Sequence, residues 1–298
     1  MRLNPIVKKD LQVSARSMRL SWGVFLYEGV LTLAFLLALV VIQQESSYIY
    51  SSGNVYGYLV YMFPVIAIVQ VCIVALITPI ITASSISGEK ERQTFDIMLT
   101  TCMSPFSIVL GKVISAVMRI LFYVAAGMPI MAISFVVGGL SWLNLLYFLL
   151  AVILLAVFSG SVGVLCSALC RKSITAVIMS FGVYFVVYGL TFLPLFLKMI
   201  FGNGNGGESI LPLLFNPAVF FEEFFMHILS DSAILGNTPF SKHDVGVITY
   251  YLTHGKVWMF VSAGCIVLMS VLFLLAAAWK VNPMHAISVK KRKKKKED

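Results

Sequence analysis

The chain has 298 residues, 59% hydrophobic and 12% charged, with a mean hydropathy of +0.94 and a formal net charge of +9. Soluble domains carry about 25% charged residues, so this chain lacks the polar surface to enclose a water-soluble body of its size. Apolar runs of about 18 residues or more recur along it and strand-type alternation is missing, which excludes an outer-membrane barrel. The fold class is all-α, a polytopic integral membrane protein.

Residues 1–20 are basic and mildly amphipathic. Arg2, Lys8, Lys9, Arg16 and Arg19 interleave with Leu3, Ile6, Val7, Leu11, Val13, Met18 and Leu20, which predicts a helix lying in the membrane interface. The apolar run that follows is too long for a signal-peptide core and lacks a small-residue cleavage site. It is read as a retained first span, about Ser21 to Ile42, with Glu28 as its one charge.

Span two runs from about Val55 to Ala83 and contains Pro64 and Pro79. Tyr56, Tyr58 and Tyr61 near its start form an interfacial aromatic belt. A polar segment at 84–107 separates it from span three, about Ile108 to Val137. Gly138-Gly139 predicts a tight turn and Trp142 a returning interface. Span four covers about Leu143 to Leu169, Arg171-Lys172 ends it, and Ser173 is placed to cap span five, about Ile174 to Leu197.

Residues 199–256 are a mixed outer loop. In it, Gly202 to Gly207 read as a flexible link, and Asn216-Pro217 open a helix too short to span, read as half-inserted or lying on the surface. Span six is about Val257 to Trp279, and residues 281–298 are a basic tail. Residues 21–280 thus form one six-span transmembrane domain.

An even number of spans puts both ends on one side, and the positive-inside rule selects that side. With the termini lie Lys90, Arg92, Lys112, Arg171, Lys172, Lys280 and the tail cluster; opposite them lie Lys198, Lys242 and Lys256. Both termini are therefore expected in the cytoplasm. The cluster Lys290, Lys291, Arg292, Lys293, Lys294, Lys295 and Lys296 is expected to bind anionic lipid headgroups at about 1 kcal/mol per charge. No basic patch with interleaved aromatics follows it, so nucleic acid is not an expected partner.

The densest mixed-charge patch before the tail is Glu89, Lys90, Glu91, Arg92 and Asp96, within SGEKERQTFDIMLTTCMSPFSIVLGK at 87–112. Glu89 to Leu99 is long enough for about three helical turns, with Phe95, Met98 and Leu99 on an apolar face and Glu91, Arg92 and Asp96 on a polar rim. An ordinary solvated loop is the plainer reading of the same residues.

This segment resembles the central element of ABC-2-type transporter permeases: an E-x-x-R-x-T element, a leucine-rich turn, T-x-x-S-P and a Gly-Lys opening the next helix. Here these are Glu89, Arg92, Thr94, Leu99, Thr101, Ser104, Pro105, Gly111 and Lys112. Cys102-Met103 depart from the proline or small residue that is commoner before Ser-Pro. The resemblance is close over the segment and loose over the rest of the chain. It implies the transmembrane subunit of an ATP-binding cassette exporter in the plasma membrane, with Glu89, Glu91, Arg92, Thr94, Phe95, Asp96 and Leu99 coupling it to a separate ABC ATPase.

A second permease subunit, identical or not, is implied as well, with a path along spans that include two and five. The chain has no G-x-x-x-x-G-K-[ST] phosphate loop, so ATP and Mg are assigned to the partner ATPase, and no ATPase activity is expected of this chain. Two other classes stay open. An ion-coupled carrier would use Glu28 and show internal repeats, and a non-transporting immunity or binding protein would have no ATPase partner.

Glu28 and Arg119 each sit about 10 Å inside their spans. An ionised group at that depth costs about 2–3 kcal/mol, so an intramembrane charge pair is expected between them, with snorkelling as the alternative for Arg119. Cys72, Cys102, Cys166, Cys170 and Cys265 suggest no disulfide framework, and Cys166 and Cys170 are read as small buried residues rather than metal ligands. His227, His243, His254 and His285 lack metalloprotease spacing. Ser159-Gly160-Ser161 predicts a close helix approach within span four.

Overall fold

A backbone that crosses a bilayer must satisfy its own N–H and C=O groups, so the long apolar runs of this chain fold as helices. The computed structural model describes residues 5–49, 62–95, 105–137, 141–194, 196–197, 208–229 and 257–281. Among these residues there are eight α-helices and no strand: α1 (Pro5–Ala15), α2 (Met18–Ile49), α3 (Met62–Glu91), α4 (Pro105–Val137), α5 (Trp142–Leu169), α6 (Ser173–Tyr184), α7 (Pro217–Leu229) and α8 (Val257–Val281). Six stretches are long and apolar enough to cross a membrane: Leu20–Gln44, Met62–Glu91, Phe106–Ser134, Trp142–Leu169, Ser173–Phe192 and Val257–Val281. The protein is an all-α polytopic membrane protein, as its composition requires.

α5 is the central rod, packed by α3, α8, α4 and α6. It is apolar throughout, as a helix buried on most sides must be. It runs parallel to α3: Phe63 meets Phe148 toward one end, with ring centroids 5.6 Å apart, and Thr82 meets Gly163 toward the other. The small residues of span four do bring backbones together. A Cβ on Gly163 would stand 1.8 Å from Thr82 Oγ1 and 2.8 Å from Thr82 Cβ. The α3 hydroxyls bond their own helix here, Thr78 to the Val74 carbonyl at 2.6 Å and Thr82 to the Thr78 carbonyl at 2.8 Å.

α2 lies against α4 through Tyr27 and Tyr123, whose rings meet edge to face at 5.8 Å. Gly127 leaves room for Tyr27 and Leu31, and Gly23 for the Tyr123 hydroxyl. α6 is not uniform. After Tyr184 it widens into a π-helical turn, Phe185–Gly189, and then tightens into a 3-10 turn, Leu190–Phe192. At the same end of the molecule, Asn216 caps α7 by accepting the Ala218 N–H at 2.9 Å, as expected. Its amide also donates to the Tyr188 carbonyl and the Thr191 hydroxyl, tying α7 to α6.

Four local expectations are corrected. The N-terminal helix ends at Ala15 instead of running to Leu20, the span-one helix already begins at Met18, and α1 packs on α4 with Val7 buried. The span-two helix does not stop at Ala83 but continues to Glu91, because Ser84 and Ser87 bond back to its carbonyls and its polar end is docked on α5. Ser173 does not cap span five; it is the first helical residue and donates to Glu91. α7 is not a surface helix, since Val219, Phe220, Phe221, Phe224 and Phe225 are buried, the last two against Phe148. The start of span two at Val55, the Gly138-Gly139 turn, the Gly202–Gly207 link and the tail lie outside the described residues.

Candidate functional site

The polar end of α3 gathers four other helices around it. Lys112, near the start of α4, has a side chain only 6% exposed. Its ammonium donates to Asp10 Oδ2 of α1 at 3.1 Å and to Glu89 Oε1 of α3 at 2.8 Å. The two acids keep partial contact with solvent, at 19% and 25% exposure. A buried ammonium is tolerable only when paired, and here one cation holds three helices in register.

The next residue fastens a fourth helix. Lys90 Nζ reaches the last carbonyls of α5, those of Ser167, Ala168 and Cys170. These are the acceptors that a helix C-terminus leaves without partners, and a cation satisfies both them and the dipole. The same ammonium lies 5.6 Å from the centre of the Phe95 ring. Two α3 amides, Ile86 N and Ser87 N, donate to the Ser167 hydroxyl at 2.9 and 2.8 Å. Glu91 completes the set by accepting from Ser173, the first residue of α6, at 2.6 Å.

Beyond Glu91 the chain turns sharply. Gln93 N donates to the Lys90 carbonyl and Thr94 N to the Glu89 carbonyl, at 3.2 and 3.0 Å. Gln93 has φ of 58°. This is a Schellman stop, in which a left-handed residue closes the helix end. Glycine would normally occupy it; glutamine there stores about 1 kcal/mol. The E-x-x-R-x-T pattern thus has a structural meaning: the Glu89 carboxylate holds Lys112, while its carbonyl takes both the amide and the hydroxyl of Thr94. Arg92, Gln93 and Thr94 are exposed, whereas Phe95 packs against the apolar cluster of Ile86, Val109, Val113, Val164 and Leu274.

Of the seven residues singled out from the sequence, Glu89, Glu91, Arg92, Thr94 and Phe95 share this corner. They do not open a separate three-turn helix, because Glu89 to Glu91 are the last turn of α3 and the Schellman stop follows. Asp96 and Leu99 lie outside the described residues, as does the cluster Lys290 to Lys296.

The structure does not pair Glu28 with Arg119. The contacts of Tyr27 and Leu31 with Tyr123 and Gly127 set a register in which Glu28 lies about 10 Å deeper than Arg119. Glu28 Oε1 is buried without a hydrogen bond. Arg119 instead points back along α4, its Nε donating to the Ser115 carbonyl at 3.3 Å. Sequence reasoning missed Asp10, Ser167 and Ser173 as site residues and gave Lys112 no ion-pair role. The only available signal was the lone acid among the N-terminal bases.

A sequence profile of the family described as ABC-2 family transporter protein matches residues 4–280. No match was found among curated proteins.

Proposed function

Because this chain belongs to the ABC-2 transporter family, and is thereby a membrane permease of an ABC transporter, we propose that it is the transmembrane subunit of an exporter driven by a separate ABC ATPase. The partner binds ATP and Mg and docks on the exposed turn at Arg92–Thr94. A second permease subunit, identical or related, completes the transporter in the plasma membrane. Residues 281–298 add a basic cytoplasmic tail held to anionic lipid.

One observation carries this reading. The exposed turn ends a helix whose last three residues, Glu89, Lys90 and Glu91, grip α4, α5 and α6 respectively, with Lys112 of α4 carrying the link on to Asp10 of α1. A push on the turn therefore cannot be absorbed by a loose loop; it is handed to the spanning helices together. Lys90 has Lys280 and Arg171 as near neighbours, so this end of the bundle is strongly positive, which favours a cytoplasmic placement. Nucleotide-driven closure of two ATPases would tilt these helices and open the path on the far side.

The test is co-purification. The tagged chain, extracted from its native membrane, should bring down an ABC ATPase with vanadate-sensitive ATP hydrolysis. Arg92→Glu together with Thr94→Lys should reduce that activity in the eluate by about tenfold while membrane insertion is unchanged. Equal ATPase recovery with both proteins would refute the docking role.

A further inference from the structure

α7 does not seal against the two helices beside it. α5 and α8 run side by side, with the Phe158 and Phe273 rings 6.2 Å apart. α7 leans on α5 through Phe224 and Phe225, which meet Phe148. On the next face round, a cavity of about 370 Å³ stays open between the three helices. That is within the size range of sites that hold small molecules. α5 lines it with one stripe at helical spacing, Asn144, Tyr147, Ala151 and Leu154. α8 adds Ala263, so two short side chains border the cavity, and α7 adds the Phe220 and Phe224 rings.

The two ends of the cavity differ. Asn144 lies in the first turn of α5, and Leu154 is ten residues on, about 15 Å deeper. This length equals one leaflet's share of a hydrocarbon core of ~30 Å. His227 also lines the cavity, from the last turn of α7. α7 begins beside Tyr188 and Thr191, and Tyr188 is about 22 Å along α6 from the junction with α5. By Phe224 it has reached Phe148, about 33 Å along α5 from the same junction. The last turn of α7 therefore lies toward Asn144, and both polar side chains stand at the shallow end.

The surroundings identify the occupant. Asp, Glu, Lys and Arg are absent from the lining among the described residues, so an ionised group would find no counter-charge inside. The open side is bordered by Tyr147, Leu150 and Phe260, all exposed on membrane-spanning helices. What stands at that opening is lipid rather than water.

We propose that the cavity between α5, α7 and α8 binds one acyl chain of a glycerophospholipid from the leaflet at the Asn144 end. The chain lies along Ala151 and Ala263 and against the Phe220 and Phe224 rings. Asn144 and His227 each carry an N–H donor for the ester or phosphate oxygens at its head. Bound there, the lipid fills the seam that α7 leaves open.

The probe is a phosphatidylcholine with a diazirine midway along one acyl chain, a trace component of phosphatidylcholine nanodiscs holding the full chain. After irradiation, adducts are mapped by mass spectrometry. Labelling of Ala151, Leu154 and Ala263 should exceed that of Leu36 and Leu37, exposed on α2, by about tenfold, a preference of about 1.4 kcal/mol. Ala263→Phe, which fills the cavity, should bring it down to the α2 level. Asn144→Ala/His227→Ala, which leaves the cavity open, should lower it about fivefold through the lost hydrogen bonds. Labelling of α2 should not change in either variant.

Equal labelling of cavity and α2 in the parent would mean annular lipid only and would overturn the site. A cavity left unlabelled while α2 is labelled would mean that protein fills it, residues 230–256 or a second copy, and would overturn it too. If Ala263→Phe does not fold, the double alanine variant decides: undiminished labelling there contradicts the assignment.

Discussion

Alanine at Gly163 is expected to destabilise the membrane domain by about 1–3 kcal/mol, and leucine there to leave no folded protein after extraction. The cause is the close approach of α3 and α5. The new Cβ would overlap Thr82 Oγ1 at 1.8 Å and still stand 2.8 Å from Thr82 Cβ and 3.3 Å from the Ala83 backbone nitrogen. Rotating Thr82 relieves the first contact but not the other two, so the helices must separate. Separation here also pulls Ser167 from the amides of Ile86 and Ser87, one turn further along. Gly163→Ala combined with Thr82→Gly, which moves the vacancy to the other helix, should restore most of the lost stability. Melting temperature and the monodisperse fraction on size exclusion read the outcome. Full stability of Gly163→Leu would mean the two helices are not in contact at this point.

Lys112→Met is expected to lower stability by about 3 kcal/mol, in the range seen when one partner is removed from a buried ion pair. Methionine keeps the apolar stem but leaves the Asp10 and Glu89 carboxylates facing each other across the space vacated by the cation. The partial exposure of both acids keeps the loss toward the lower end of that range. The N-terminal helix should then detach first, since α1 is held on α4 by this contact and the small buried face around Val7. Limited proteolysis in the 5–17 segment, with a melting temperature lower by about 5–10 °C at a fixed scan rate, checks both points. Adding Asp10→Asn and Glu89→Gln should recover part of the loss, because the penalty lies in two uncompensated charges more than in missing contacts. If the triple variant is no better than Lys112→Met, packing of the lysine stem explains the effect instead.

The six spans were legible because each is a long apolar run, and hydropathy needs no tertiary information. Ser159-Gly160-Ser161 within span four was legible as a close approach for a similar reason, small residues in an apolar helix having few other uses, but the tightest contact falls one turn on, at Gly163, which the sequence did not single out. The partner of Lys112 was not legible. Asp10 lies 102 residues away in the chain, and nothing local indicates that the N-terminal helix folds back on span three. Equal depth was expected of Glu28 and Arg119, whereas the helices are staggered so that the two lie at different levels. Register between helices is set by Tyr27, Tyr123, Gly23 and Gly127, and that information is absent from either run alone.

The π turn was hidden for a different reason. Phe185 to Gly189 reads as continuous apolar helix, and a ladder defect leaves no mark on hydropathy. The Schellman stop at Gln93 was hidden because its usual marker, glycine, is not there.

The knot of Asp10, Glu89 and Lys112 and the turn it supports are expected to face the ATPase in the cytoplasm. Sidedness of Arg92 tests this most directly. Arg92→Cys, in a chain whose five native cysteines are replaced by alanine, is exposed to a membrane-impermeant maleimide in intact cells and in inside-out vesicles. Modification only in the inverted vesicles, and protection there when the ATPase is bound, is the expected result. Modification in intact cells would place the turn outside, beyond reach of any nucleotide-driven partner, and would contradict the account.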